Sequence, residues 1–508
     1  MWDSTIMPGD TKFRPYDASK SKLVLKKDPA STPQSAVPST STVVAQFISP
    51  ITAQPTGPPL HLPASTTPQQ LHLLLNKLLA NEADPIPYSF YINDAEIVKS
   101  VYDDAIATNE SVSTETLFTI LYHPQAVFRV RAVTRCSSSL AGHTEAVLTV
   151  VFSPDGRQLA SGSGDTTVRI WDLNTSTPQF TLKGHKNWVQ VVAYSPDCKT
   201  IASGSMDATI RLWSATDGTP LGDALRSHTQ VVTSIAWSPD HDSRYFVSGS
   251  KDGTAKIWDA ATRRCVHTLC GHSGPVMCVK WGGEGLVYTA SRDKSIKVWA
   301  AASGKLVRTL EGHAHWVNHL ALSTDFVNRT GPYDHTMPTY ATPEDAKAAA
   351  AKRYNEAKNS TAHPERLVSA SDDFTIYLWS PTTSKQPIAR LTGHQQAVTH
   401  VSFSPDGRFI ASASFDKSVK IWDGLSGAFV RNLRGHVGNV YFACWAPDSR
   451  MLVSGSQDSM LKVWDVREGK SKVDLPGHAD EVFAVDWSPD GRFVASGGRD
   501  KVLKIWRH

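Results

Sequence analysis

GHKNWVQVVAYSPDCKTIASGSMDATIRLW, running from Gly184 to Trp213, decides the architecture of this 508-residue chain, because its landmarks return at fixed spacing. Trp213 stands six residues after Asp207, Ser203 four residues before that aspartate, and His185 28 residues before the tryptophan. The same order is found at His143, Ser161, Asp165 and Trp171, and six more times as far as Trp506. The other tryptophans are Trp258, Trp299, Trp379, Trp422 and Trp464, and the other histidines His228, His272, His313, His394, His436 and His478. The hydroxyl position is always filled, by Thr289 in one repeat and by serine in the rest. Within the quoted stretch, Val189–Tyr194, Thr200–Ser205 and Ile210–Ala215 read as short strands, with Ser195-Pro196-Asp197 as the turn between the first two. A fourth strand leads into the next histidine.

One small antiparallel sheet cannot bury both its faces, so such units must stack on one another. The tryptophan period is mostly 41 to 45 residues, with Gly-His at one end and Trp-Asp (Trp171-Asp172, Trp258-Asp259) at the other. This pattern resembles the WD-repeat family. The resemblance implies a mainly β fold, an eight-bladed propeller, with each His–Ser–Asp–Trp set hydrogen-bonded inside its blade. The same residue types compose a hydrolase triad. A triad occurs once, however, whereas this set occurs eight times with a tryptophan that no triad needs. The structural reading wins. The chain stops at His508, two residues past Trp506, which leaves the eighth unit one strand short. The alternating run Val127-Phe128-Arg129-Val130-Arg131 is expected to supply that strand and remove an exposed sheet edge.

Composition sets bounds on the rest. The net charge of +4 is too mild to argue for a nucleic-acid groove by itself. Six scattered cysteines without a CxxC pair argue against a zinc site or disulfide framework and fit a reducing compartment. No apolar run is long enough to span a membrane and the start of the chain lacks a signal-peptide core, so a soluble intracellular protein is expected, with no membrane partner. Residues 1–41, rich in Ser, Thr, Pro and Lys, read as a disordered tail. Its loose group Lys20, Lys22, Lys26 and Lys27 is a solvated tail or an aid to nuclear import.

Residues 42–123 differ. Val43–Ile48 and Leu60–Leu62 read as strands, and Thr66 or Thr67 caps a leucine-rich helix with Pro68 in its first turn. Tyr88–Ile92 and Leu117–Tyr122 read as further strands. This order resembles the ubiquitin-like β-grasp. From there the propeller occupies residues 124–508.

The combination resembles the Notchless family of ribosome-assembly factors from about residue 42 onward. The resemblance is carried by Gly184-His185-Lys186-Asn187-Trp188-Val189, His313-Ala314-His315-Trp316-Val317-Asn318-His319, Ser371-Asp372-Asp373-Phe374-Thr375 and Asp474-Leu475-Pro476-Gly477-His478. It implies a non-enzymatic assembly factor for the large ribosomal subunit, found in nucleolus and nucleoplasm and acting as a monomer. Its partners would be the AAA ATPase midasin, pre-60S particle proteins and ribosomal RNA. It implies no cofactor of the chain's own. The ubiquitin-like domain would offer one carboxylate to the Mg²⁺ held in midasin's adhesion site, a hard cation that prefers oxygen ligands. The family motif maps onto Ser113-Thr114-Glu115, which assigns that role to Glu115, although Thr116 follows where another acid is usual. A different class of function is a WD-repeat scaffold or substrate receptor in Notch-type signalling or ubiquitin pathways. Co-sedimentation with large-subunit precursors separates the two.

In WD propellers the positions three and five after the histidine, and one before the aspartate, face partners at the rim. Here they hold Trp188, Met206, Trp316, Phe415, Tyr441 and Phe483, with Lys251, Arg292 and Arg499. Aromatics and arginine are favoured interface anchors, and the basic trio suits RNA phosphate. The competing reading has some of these aromatics packing between blades. The fifth repeat is abnormal, since His313 to Trp379 spans 66 residues. Its insertion, 324–366, contains a capped helix start at Thr342-Pro343-Glu344-Asp345 and a thin apolar face of Ala346, Ala350, Tyr354 and Ala357. It either orders on a partner or stays a mobile loop.

Overall fold

The computed structural model describes residues 42–49, 54–79, 81, 87–92, 95–101, 117–126, 128–359 and 364–508. The readings for residues 1–41, for Val127 and for Ser113-Thr114-Glu115 lie outside the described residues.

Among the described residues the first unit contains a five-stranded sheet and a helix packed on it. In chain order its elements are β1 (Thr42–Ile48), β2 (Leu60–Pro63), α1 (Pro68–Leu78), β3 (Tyr88–Ile92), β4 (Ala95–Glu96) and β5 (Leu117–Pro124). The sheet order is β2-β1-β5-β3-β4. β1 and β5 run parallel and the other pairs antiparallel, the β-grasp arrangement. Thr67 begins the helix in an extended conformation, Pro68 follows it, and the Thr67 N–H donates to Gln70 Oε1 at 3.0 Å. Leu71 and Leu75 point down onto Val43, Ala45, Phe47, Phe90, Phe118 and Ile120. Each fully buried side chain of this size contributes roughly 1.5–3 kcal/mol.

The remainder forms eight four-stranded sheets, with neighbouring strands antiparallel throughout. The innermost strand of each blade packs beside that of the next, and Val482–Trp487 beside Val147–Phe152 completes the circle. The second strands (Gln158–Ser163, Thr200–Ser205 and their equivalents) are small-residue strands for a steric reason. A Cβ added to Gly204 would lie 2.7 Å from a Val232 methyl of the next blade, and one on Gly497 2.5 Å from Val147 across the closure. Blades converging on one axis leave no room there for larger groups.

Ring closure differs from the sequence expectation. The missing strand is β6, Arg135–Leu140, which pairs antiparallel with Leu503–Arg507 from Leu140↔Leu503 to Arg135↔Arg507. The run 127–131 does not close the ring. Its described part, Phe128 to Arg131, belongs to no strand and passes beneath blades 7 and 8, where Val130 is buried among their side chains. Alternation of apolar and charged residues needs only one surface to pack against, and that surface here is the underside of the ring. β6, with three consecutive serines, carries no such pattern. An outermost strand is held by its backbone ladder and needs little apolar area of its own.

The described residues of the fifth-repeat insertion, 324–359 and 364–366, lie on the ring's lower face, the edge that carries the Ser-Pro-Asp turns. They include α2 (Asp325–Thr330) and α3 (Pro343–Asn359). α3 starts with the Asp345 N–H donating to Thr342 Oγ1 at 3.2 Å, and Ala346 and Ala350 of its thin apolar face are buried. A chain beginning at residue 132 is therefore expected to remain a closed monomeric ring with a cooperative melt. One beginning at residue 141 should expose the Leu503–Arg507 edge and self-associate. Size-exclusion chromatography with thermal melts tests this, and normal behaviour of the shorter chain would contradict the closure.

Candidate functional site

Each blade contains one relay of hydrogen bonds, identical in direction. Trp213 Nε1 donates to Ser203 Oγ at 2.8 Å, Ser203 Oγ lies 2.8 Å from His185 Nε2, and His185 Nδ1 lies 3.1 Å from Asp207 Oδ2. Trp171, Ser161, His143 and Asp165 repeat this at 2.8 Å for all three contacts. Thr289 does the same work between Trp299 and His272. The aspartate also accepts the Thr209 and Lys186 N–H groups. Burial alone would raise its carboxyl, but the bonds from His185, Thr209 and Lys186 together hold it well below the ordinary range. An ionised aspartate can only accept, so His185 Nδ1–H donates to it, Nε2 accepts from the serine O–H, and the serine oxygen accepts from the indole N–H. The serines are fully buried, out of reach of any substrate carbonyl. These relays tie the loop before each blade to its sheet, and they set the height of the upper rim.

At that rim the expected partner residues fall into three groups. Trp188 is half-exposed, and the Met206 N–H donates to its carbonyl at 2.9 Å. Trp316 is partly exposed with the Arg292 guanidinium 4.3 Å above its ring. Phe415, Tyr441 and Phe483 make a continuous row across blades 6 to 8, with centroids 6.0 and 5.7 Å apart. The Tyr441 hydroxyl donates to Glu481 at 3.3 Å, and Arg499 stands 3.9 Å from the same carboxylate. This row packs from blade to blade and is only partly exposed. The Lys251 side chain is partly exposed on blade 3, apart from these groups. Two rim residues escaped the sequence reading. Val437 is 77 % exposed, and Phe374 is 45 % exposed in the left-handed region at φ 67°. Aligning the repeats on their aspartates would have shown Phe374 in a turn column otherwise held by small, polar or lysine residues.

The lower face is occupied. α2 crosses under the ring axis, with Asp325 2.9 Å from Lys280 on blade 4 and Arg329 2.7 Å from Asp486 on blade 8, the blade opposite. Lys347 reaches Asp242 on blade 3 at 2.9 Å, and Lys358 pairs with Glu284 on blade 4. The turn Gly282-Gly283 leaves space for Glu365 and Tyr354, since a Cβ at either position would come within 2.1 Å of them. Glu365 is buried, receives the Thr324 hydroxyl and the Gly283 N–H, and is pushed up to about 7 by that burial. Its neighbour Arg366 turns the other way, to the carbonyls of Gly407 and Gly424 on blade 6.

The β-grasp unit sits against blades 6 and 7 through three arginines. Arg408 donates to Ser89 Oγ at 3.1 Å and stacks on Tyr91, Arg467 pairs with Glu96 at 3.3 Å, and Arg450 donates to Gln125 Oε1 at 3.1 Å. A crevice of about 800 Å³ remains between the two units. Among the described residues no group of three or more His, Cys, Asp or Glu is gathered to hold a metal ion. No helix among them is long and apolar enough to cross a membrane.

The WD domain, G-beta repeat model matches residues 134–172, 176–214, 218–259, 263–300, 385–423, 427–465 and 469–507, passing over the repeat that holds the insertion. The NLE (NUC135) domain model matches residues 43–103. A Notchless protein homolog of Arabidopsis thaliana is 56% identical over 381 residues, covering 74% of this chain and 79% of that protein. Ribosome assembly protein 4 of Saccharomyces cerevisiae is 46% identical, covering 74% of this chain and 76% of that protein. Among solved structures, the computationally designed Ika8 protein aligns with a TM-score of 0.58 and 26% identity, over 73% of this chain and 98% of that one.

The relays fix how stability depends on pH. Burial lowers His228, His394 and His478 below their usual 6.5, so the unfolded chain takes up protons there first. Asp165, Asp207, Asp252, Asp293, Asp373, Asp416 and Asp458 titrate well below the 3.8 of an unfolded aspartate, and they act in the same direction at lower pH. Glu365 and Asp448, raised by burial, act the other way, two carboxyls against these ten groups. Stability is thus full above pH 6.5, declines through that value and falls faster below pH 4. Melting temperatures across this range check it, and a profile that rises on acidification would contradict the relay assignment.

Proposed function

This chain belongs to the family of Notchless and ribosome assembly protein 4, and on that premise we propose that it works as a mechanical adaptor in large-subunit assembly. In this reading the propeller anchors on the pre-60S particle by its upper rim, and the β-grasp unit offers Glu115 to the Mg²⁺ of midasin's adhesion site. Midasin supplies the metal and the ATP-driven pull, and the relays keep the anchored ring rigid while it is pulled. The protein acts without catalysis, in nucleolus and nucleoplasm. The observation that carries the anchoring half is the occupied underside. With α2, α3, the segment after Phe128 and the β-grasp unit covering the lower face, the rim with Trp188, Trp316 and Phe374 is the open broad face. Support for the pulling half is the family membership together with the position of Glu115, just ahead of β5 at Leu117. β5 runs beside β1 in the middle of the sheet, so a force applied there is spread over the sheet.

Glu115→Ala should abolish Mg²⁺-dependent binding to midasin without changing the melting curve. Glu115→Asp should weaken it too, because the shorter arm withdraws the oxygen by more than a 2.0–2.1 Å metal bond tolerates. Affinity measurements with and without chelator decide, and full binding by the alanine variant rejects the role. Trp188→Ala combined with Trp316→Ala should reduce co-sedimentation with large-subunit precursors while midasin binding persists. Undiminished co-sedimentation would remove the upper rim from the anchoring surface.

A further inference from the structure

Between the β-grasp unit and the closing strand β6 the chain is held in an unusual way. Phe128 to Thr134 join no ladder, yet they lie against the ring through a short series of separate contacts. The Phe128 ring stacks on His335 of the insertion, with centroids 3.8 Å apart and planes within 10°. The Val130 N–H donates to Asp448 Oδ2 of blade 7 at 2.8 Å in a buried position. The Val130 side chain fills the notch left by Gly491, and Val133 is fully buried in the apolar cluster that includes Trp487, Val494 and Trp506. The Ala132 carbonyl is 3.2 Å from His508 Nδ1, and the Thr134 N–H donates to Arg507 at 3.0 Å. On the near side come the arginine contacts to the β-grasp unit, and on the far side the β6 ladder. Tension applied to the β-grasp unit therefore meets three attachments in series.

We propose that Phe128–Thr134 is a peelable strap, clasped by the insertion and by Asp448, which yields under tension before the closing strand is loaded. The reason is geometric. The strap contacts lie one after another along the chain, so a pull from its amino-terminal end loads them singly. The β6 ladder shares the load among several paired residues. Release would give slack of at most about 24 Å for seven extended residues and would uncover the undersides of blades 7 and 8, with the ring still closed. The clasp also gives the insertion a role besides covering the lower face, since His335 is the part of it that grips the strap. The biological use of this device rests on the pulling role proposed above. Its mechanics do not, because an instrument can supply the tension.

The test is single-molecule pulling on the full chain, with one handle replacing His61 in the β-grasp sheet and the other replacing Lys186 on blade 2. A short, reversible lengthening at low force is expected, well separated from the much longer events of blade unfolding. Asp448→Asn with Phe128→Ala should raise the rate of that first step at constant force by about tenfold or more. His335→Ala, which leaves the strap and every blade strand intact, should raise it as well. Leu306→Ala, on the outer strand of blade 4, should not. A first event that already opens the ring, or an opening rate unchanged in both the double variant and His335→Ala, overturns the proposal. Loss of midasin binding in Glu115→Ala with the short step preserved would uphold both readings. Retention of binding there would reject the pulling role and leave the strap standing.

Discussion

In each blade a tryptophan N–H, a serine or threonine O–H and a histidine N–H are donated in one direction and end on an aspartate whose charge other backbone donors hold in place. None of these groups has water within reach at the serine, so removing one strands its neighbours, at a cost of roughly 1–3 kcal/mol for each orphaned atom. The relay therefore selects a single tautomer and a single loop position per blade. It works together with the close meeting of small second strands and the valines of the next blade. Rigidity in this molecule is a property of hydrogen-bond direction as much as of apolar area.

What the sequence made legible follows the same logic. The relay serine and tryptophan occupy fixed registers on adjacent strands, with the histidine and aspartate in the loop and turn beside them, so their spacing survives in one dimension, and they count the blades. The β-grasp order is readable because its strands alternate and its helix carries Thr67, Pro68 and Gln70 at the start. The closing strand was hidden because Ser137, Ser138 and Ser139 show no apolar period. The amphipathic run around Val130 drew attention instead, correctly as something packed and wrongly as something paired. The covering of the lower face was illegible for a different reason. Gly156, Gly282, Gly283 and Asp242 look like ordinary turn residues until Met337, Glu365, Tyr354 and Lys347 arrive from another repeat. Complementarity across blades leaves no periodic trace.

The two charges on the inner strands, Lys280 and Asp486, are each met by the opposite charge from α2. An insertion joined to the ring through such pairs has one orientation, because reversing α2 would set like against like. Glu365 and Arg366 continue the theme at the other end of the insertion. Adjacent in the chain and opposite in charge, they turn to blades 4 and 6 and pin blade 5 from both sides. The repeat that departs most from the pattern is thereby tied to both of its neighbours.

The polar character of β6 acquires another meaning when the chain is considered during its synthesis. Ser137 meets Ile505, a residue 368 positions later, so at 5–20 residues per second this strand waits roughly 20–70 s for a partner. Seven blades can assemble by local pairing in that interval while their terminal edges stay open. An apolar strand dangling for so long at the ribosome exit would invite pairing with the wrong sheet or with another nascent chain. A run of serines flanked by Arg135 and Leu140 stays hydrated and inert until the last blade emerges. The feature that hides the strand in the sequence is the one that lets it emerge early and pair late without misfolding.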